Sequence, residues 1–270
     1  MTGTLIIAEV GINHQGDPVI AKQLIDSAKV CGASAVKFQT YKAELLEPPG
    51  DRRDMLRRCQ LSEADHVELK AYADDKRIEF ISTPFDFDSL LFLRDDLKLK
   101  TIKIASGFLD RTDMLDEANR GPHHVIVSTG MSRVGDIAHA LKRVPRARLL
   151  HCVSAYPAPI REMNLRAIPL MRQIFGDRIG LSDHTLSCSV PFAAVALGAC
   201  IVEKHLTLDQ NMEGPDHKAS IVPKQFRAMV QGIREIEQAL GTPDKVQQLS
   251  EAGTTAMLAE RKAWRNRGGS

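Results

Sequence analysis

Short apolar runs alternate with longer amphipathic ones along nearly the whole chain. Eight of the short runs read as strands: Leu5–Ala8, Ala35–Gln39, Glu79–Thr83, Thr101–Ala105, His124–Ser128, Arg148–Val153, Ile179–Ser182 and Ile201–His205. Their continuous Val, Ile and Leu content is the pattern of strands buried on both faces of a parallel sheet. Helical periods fall between them. One starts at Asp17 or Pro18, sets Val19, Ile20, Leu24, Ile25 and Ala28 on one face, and stops at Gly32. Ser62 reads as the N-cap of a helix through Asp75, with Asp65 at the capping-box position where Glu or Gln is usual. Further helices are predicted near Phe87–Arg94, Met114–Asn119, Val134–Arg143, Leu165–Phe175, Cys188–Leu197 and Lys224–Leu240.

This alternation predicts an α/β fold, a parallel sheet whose strands are joined by crossover helices. Eight units in 270 residues favour a closed (β/α)8 TIM barrel, for which ~250 residues is typical, over an open doubly wound sheet. Residues 1–241 are assigned to the barrel. After Gly241 the apolar periodicity is lost and the chain runs to "RNRGGS", so 242–270 read as a C-terminal tail or linker remnant.

Composition narrows the function classes. A hydrophobic share of 43% permits a large core, and the 26% of charged residues is close to the globular average of roughly 25%. A net charge of +2 gives no support for a nucleic-acid partner, which calls for a concentrated basic face. The five cysteines, Cys31, Cys59, Cys152, Cys188 and Cys200, are scattered and never form a CxxC pair. A disulfide framework or zinc knuckle is therefore not indicated, and a reducing cytoplasm is the simpler setting. The N-terminus "TLIIAEVG" lacks the form of a signal peptide. The longest apolar run, Val190 to Val202, is interrupted by Pro191 and Gly198 and falls short of the ~18 residues a membrane span needs. No membrane partner is expected.

In a barrel of this kind the C-terminal strand ends and the loops after them carry the site. Read in order, those ends offer Glu9 with Asn13 and His14; Lys37 and Gln39; Ser82 and Thr83; Lys103 with Ser106; Ser128, Thr129 and Gly130; Ser154 with Tyr156; Ser182, Asp183 and His184; and Glu203, Lys204 and His205. Unpaired charge is costly to bury, so charges repeated at the rims of apolar strands call for partners or ligands. Lys37 and Lys103 alternate with apolar residues in "VKFQT" and "IKIAS" and point inward. With Thr83, Ser106 and Ser128 they suggest an anion pocket for phosphate or carboxylate. The competing expectation is that each lysine pairs with a rim carboxylate such as Glu9 or Glu203. His184 and His205 end adjacent strands and suit a divalent metal with open positions for water and substrate. His14, His151 and His217 are lesser candidates, and Cys152 reads as core packing. Glu9 and Glu203 meet once the barrel closes, where they would bind sugar hydroxyls, move protons or partner the lysines. Tyr156, Gln39 and Asp216 offer directional hydrogen bonds. The segment "TLDQNMEGPDHKAS" has the length of a lid or binding loop. The "RRDMLRR" run reads as a solvated helix face in preference to a receiver for a phosphorylated substrate.

The segments "IIAEVGINHQGD", "ASAVKFQTYKAELL", "STPFD", "KIASG", "VSTGMS", "LLHCVSAYPAP", "GLSDHT", "VEKHLTLD" and "GPDHKAS" resemble the sialic acid synthase family, in order, from about Ile6 to Leu240. The family condenses phosphoenolpyruvate with N-acetylmannosamine or related sugars. The resemblance implies His184 and His205 as metal ligands, usually for Mn²⁺. It implies Lys37, Thr83, Lys103, Ser106, Ser128 and Ser182 as a phosphoenolpyruvate pocket, and Glu9, Gln39, Tyr156, Glu203 and Asp216 as sugar-handling groups. Asp183 is read as orienting its loop. The implied activity is a metal-dependent aldol-like condensation with C–O cleavage, giving a nonulosonic acid and phosphate. A homodimer is also implied. Two departures stand out. Ser154 replaces the Asn usual in sialic acid synthases proper and resembles pseudaminic-type members. The antifreeze-like domain that normally follows is not present before the chain stops. A phosphorylated or different aldose, a non-catalytic binding paralogue and a barrel hydrolase are the alternative readings.

Overall fold

In the computed structural model, which describes residues 3–268, the eight strands are β1 (Leu5–Gly11), β2 (Ala35–Thr40), β3 (Glu79–Pro84), β4 (Thr101–Ile104), β5 (His124–Ser128), β6 (Arg148–Cys152), β7 (Ile179–Asp183) and β8 (Ile201–His205). They form a closed parallel barrel in sequence order. β1 pairs with β8 from Leu5↔Ile201 to Glu9↔His205, which closes the ring. The chain is thus a (β/α)8 barrel, and the open doubly wound sheet is excluded.

The period-2 geometry of a strand sets the layers inside the ring. Ile7, Ala35, Ile81, Ile126, Leu150 and Ile201 form one buried apolar cluster. Two residues further along the same strands stand Glu9, Lys37, Thr83, Ser128, Cys152 and Glu203, all buried. The same side of each strand therefore changes from hydrocarbon to polar chemistry in one step, and the hydrocarbon layer becomes the floor of the polar one. The opposite strand faces pack against the helices in a larger core that includes Leu24, Ile25, Leu69, Ile168 and Phe226.

The helices largely follow the sequence pattern. Asp17 caps Pro18–Val30 by accepting from the Val19 N–H. Ser62 caps Glu63–Asp75 in a full capping box: its hydroxyl accepts from the Asp65 N–H at 3.1 Å, and Asp65 accepts from the Ser62 N–H at 2.8 Å. Ser62→Ala should cost about 1 kcal/mol, read as a lowered urea midpoint with unchanged slope. A midpoint that does not move would show the cap to be redundant.

Three segments differ from expectation. The helix at Phe87–Leu91 continues as a π-helical turn through Asp96. Between β2 and the capped helix lie two further helices, Ala43–Leu46 and Asp51–Cys59, and the second carries the arginine run. The chain divides into two compact units, one reaching to Ala239 and another from Leu240. The second carries a helix, Ala252–Asn266, in a region that reads as a tail; its Ala, Leu, Glu, Lys and Arg residues supply helix propensity without an apolar stripe. Among the described residues no helix is long and apolar enough to cross a membrane.

Candidate active site

A cavity of about 380 Å³ opens at the C-terminal ends of the strands, lined by the polar layer. Of the side chains that the sequence puts forward, it is lined by Glu9, Lys37, Gln39, Thr83, Lys103, Ser106, Ser128, Ser154, Tyr156, Ser182, His184, Glu203, His205 and Asp216.

Its floor is a buried charge network. Lys37 Nζ lies 3.1 Å from Glu9 Oε2 and 3.3 Å from Glu203 Oε2, and it donates to Thr83 Oγ1 at 3.1 Å. Lys103 Nζ donates to Ser128 Oγ at 2.6 Å and to the Ile104 carbonyl at 3.3 Å, and reaches Glu203 only at 3.9 Å. Ser182 donates to Glu203 Oε1 at 2.8 Å. The pairing of lysines with rim carboxylates is therefore present, but it is uneven. Burial opposes ionisation of Glu203, yet Lys103 and Lys37 more than offset it and hold the carboxyl down at about 2. Burial raises Glu9 to about 7, with Lys37 only partly opposing and Glu203 adding to the rise. Lys37 is shared between both carboxylates and is pushed up: burial lowers it, but Glu203 and Glu9 outweigh that. Burial lowers Lys103 to about 8. Two ammoniums thus face one firmly ionised carboxylate and one half-committed one, leaving surplus positive charge that an anionic ligand would neutralise.

The imidazoles stand beside this network. His184 Nδ1 donates to the Val153 carbonyl at 2.7 Å, which puts its proton there and leaves Nε2 as an acceptor, the tautomer a metal ligand needs, with Ser182 Oγ 3.5 Å away. The His205 Nδ1 atom is buried without a hydrogen-bond partner among the described residues. The two ring centroids are 5.5 Å apart, and Tyr156 lies 4.2 Å from the His184 ring and 5.8 Å from that of His205. Burial lowers both imidazoles below their ordinary value, and His184 and Lys37 push His205 further down, so both are neutral. This donor pair fits a divalent cation. Among the described residues no third His, Cys, Asp or Glu side chain joins the pair around one point, so a cation held here would take its remaining ligands from water and substrate.

Two glycines make room for the rest. Gly11 has φ +56°, and a Cβ there would meet Asp216 Oδ2 at 2.9 Å, Gln39 Nε2 at 3.2 Å and Glu9 Oε1 at 3.4 Å. Its absence lets these three groups crowd one wall, where Gln39 donates to Glu9 at 3.3 Å and burial lifts Asp216 to about 6. Gly130 donates to Ser106 Oγ at 2.9 Å, and a Cβ there would lie 2.3 Å from Ser154 Oγ and 2.8 Å from Cys152 Sγ.

Several residues stand elsewhere than the sequence suggests. Cys152 lines the cavity, its thiol 3.2 Å from Ser106 Oγ, so it is more than core packing. Of the lesser candidates, His14 accepts from the Gly16 N–H at 3.0 Å, His151 bonds the Met163 carbonyl at 2.7 Å and His217 meets Thr207 at 2.7 Å. None of the three lines the cavity. In the arginine run Arg57 does lie on a solvated face, paired with Glu44 and Asp54. Arg52 instead lines the cavity, with Nε 2.7 Å from Glu47. Phe85, Phe108 and Met131 complete the walls. They lie on loops that follow the strand ends, and their apolar character hides them from a search for chemistry-bearing groups.

The position of Glu9 gives a pH signature. Its folded pKa of about 7 exceeds the ordinary 4.5, so its contribution to stability is complete below about pH 4.5 and is lost as pH rises through 7. Asp216 acts with the same sign at lower pH, and the buried neutral histidines with the opposite sign. The difference between the metal-free wild type and Glu9→Gln cancels these. Denaturant midpoints should show the wild type losing stability relative to Glu9→Gln between pH 5 and 8; a constant difference would place Glu9 at an ordinary pKa.

Comparison with known proteins agrees with the geometry. The sequence model of the NeuB family matches residues 24–245. The chain is 43% identical over 254 residues to an uncharacterised protein of Methanocaldococcus jannaschii, covering 92% of this chain and 75% of that one. It is 40% identical over 273 residues to the N,N'-diacetyllegionaminic acid synthase of Campylobacter jejuni, covering 93% and 81%. The crystal structure of an N-acetylneuraminic acid (sialic acid) synthetase from Leptospira borgpetersenii, in complex with citrate, superposes with a TM-score of 0.89 at 32% identity, covering 98% of this chain and 93% of that one.

Proposed function

The chain belongs to the NeuB family, and on that premise we propose that it condenses phosphoenolpyruvate with an N-acetylmannosamine-like amino-sugar aldose to give a nonulosonic acid and phosphate. The observation that carries this reading is the meeting, in one cavity, of a lysine-rich, hydroxyl-lined layer and two neutral imidazoles whose rings lie 5.5 Å apart.

Lys103, Ser128, Ser106 and Thr83 hold the phosphate and carboxylate of phosphoenolpyruvate, with Lys37 and Ser182 closing the pocket from the other side. Surplus positive charge there stabilises the anionic substrate and the tetrahedral intermediate. His184 and His205 would hold a divalent cation, Mn²⁺ by the family resemblance, which would supply Lewis-acid polarisation of the aldehyde oxygen. The C2=C3 electron pair of phosphoenolpyruvate forms the new bond from C3 to the aldehyde carbon, whose oxygen gains a proton. Water adds at C2, loses its protons, and phosphate leaves with the C2–O bonding pair. Glu9, with a pKa near 7, is suited to accept and return a proton. Glu203, firmly ionised, is suited to face positive charge developing at C2. Gln39, Tyr156 and Asp216 orient the sugar on the opposite wall.

One observation favours a second reading. Arg52 lines the cavity with most of its side chain exposed and only Nε paired, to Glu47, which suits an acceptor bearing a phosphate. Phosphate release from phosphoenolpyruvate with Mn²⁺, across a panel of N-acetylmannosamine, its 6-phosphate and a di-N-acetylated aldose, separates these. Release with an unphosphorylated amino sugar supports the first reading, and release only with the phosphorylated one supports the second. Sugar-independent release would indicate a hydrolase. Binding without release would indicate a non-catalytic relative.

A further inference from the structure

Behind the imidazoles lies a buried ion pair with no part in the chemistry above. Lys204 and Asp183 are both fully inaccessible to solvent, with Lys204 Nζ 2.6 Å from Asp183 Oδ2. They are direct partners in the β7–β8 ladder, one step beyond the pair Ser182↔Glu203. Side chains alternate along a strand, so Ser182 and Glu203 meet on the cavity side while Asp183 and Lys204 meet on the outer side. One residue further on stand His184 and His205, facing the cavity again. The same ammonium donates to the Thr185 carbonyl, to Ser187 O at 3.1 Å and to Thr185 Oγ1 at 3.4 Å. Asp183 Oδ1 accepts from the Thr185 N–H at 2.9 Å. The backbone on both sides of His184 is thus tied to the residue preceding His205.

We propose that the Lys204–Asp183 pair is a positioning device that fixes the spacing of His184 and His205 for a divalent cation. The inference rests on the metal reading of those imidazoles. A fully buried pair loses its hydration, and a well-packed apolar pair of similar volume is often as stable. What the apolar pair lacks is direction: it cannot hold four oxygen acceptors around one nitrogen. The pair therefore defines where the strand ends and the loop after β7 sit. It touches no substrate and is not a catalytic residue pair.

The test compares wild type, Lys204→Met, Asp183→Asn and the double variant Asp183→Leu/Lys204→Met. Mn²⁺ binding is read without substrates, by the electron paramagnetic resonance signal of free Mn²⁺, beside thermal unfolding of the metal-free proteins. The double variant should unfold within a few degrees of wild type while its Mn²⁺ dissociation constant rises by about 10–100-fold, the usual cost of removing support behind metal ligands. Asp183→Asn, which keeps the shape, should move the same constant in the same direction and covers the case in which Lys204→Met or the double variant fails to fold. A double variant, or a folded Asp183→Asn protein, with wild-type Mn²⁺ affinity overturns the positioning role and leaves the metal reading standing. Wild type that binds no Mn²⁺ overturns both.

Discussion

Replacing His184 with alanine is expected to abolish metal-dependent phosphate release while leaving the barrel folded. The side chain sits at the cavity with Nδ1 bound to the Val153 carbonyl, outside the apolar clusters of the barrel. Under the proposed metal reading, loss of one of the two imidazole nitrogens would lower affinity for the cation and weaken polarisation of the aldehyde. Several kcal/mol of transition-state stabilisation, or roughly three orders of magnitude in rate, is at stake. Turnover should be measured beside circular dichroism and Mn²⁺ binding, so that an unfolded variant is not mistaken for an inactive one. Unchanged turnover in a folded variant would remove His184 from the ligand set.

Lys103→Ala is expected to raise KM for phosphoenolpyruvate by about two orders of magnitude, about 3 kcal/mol, in the range for losing one partner of a buried charged contact. Lys103 is bound to Ser128 at 2.6 Å and lies 3.9 Å from its nearest carboxylate partner, Glu203, so more of its charge is free for a ligand than that of Lys37. On the proposed assignment of the sugar to Gln39, Tyr156 and Asp216, the sugar KM should change far less, because Lys103's hydrogen-bond and ion-pair partners are Ser128, the Ile104 carbonyl and Glu203. Equal loss for both substrates would argue against the anion-pocket role. The substitution also strips Glu203 of its largest charge partner, so the acid limb of the pH–rate profile should move to higher pH.

Most of this site is legible in the sequence because a parallel barrel makes position and chemistry coincide. Apolar strands announce themselves by continuous Val and Ile, and each polar residue at a strand end stands at a predictable rim. Lys37 and Lys103 were readable as inward-facing from their alternation alone. The same alternation turns Lys204 away from Glu203 and His205, but its pairing with Asp183 depends on the register between β7 and β8, which a single strand's pattern does not encode. Cys152, read as packing and not as a ligand, is buried as expected, but it follows Leu150 on the inward face and so also lines the cavity. Arg52 depended on how Asp51–Cys59 folds back over the rim, which local pattern does not encode.

The polar layer draws one side chain from almost every strand, and the ring that carries them is closed between β1 and β8. A closed ring has no privileged starting point. Relocating the termini to another inter-strand connection would therefore leave the wall intact, whereas excising any single strand–helix repeat would delete one face of the enclosure. The chemistry belongs to the complete circle and cannot be halved into smaller working parts.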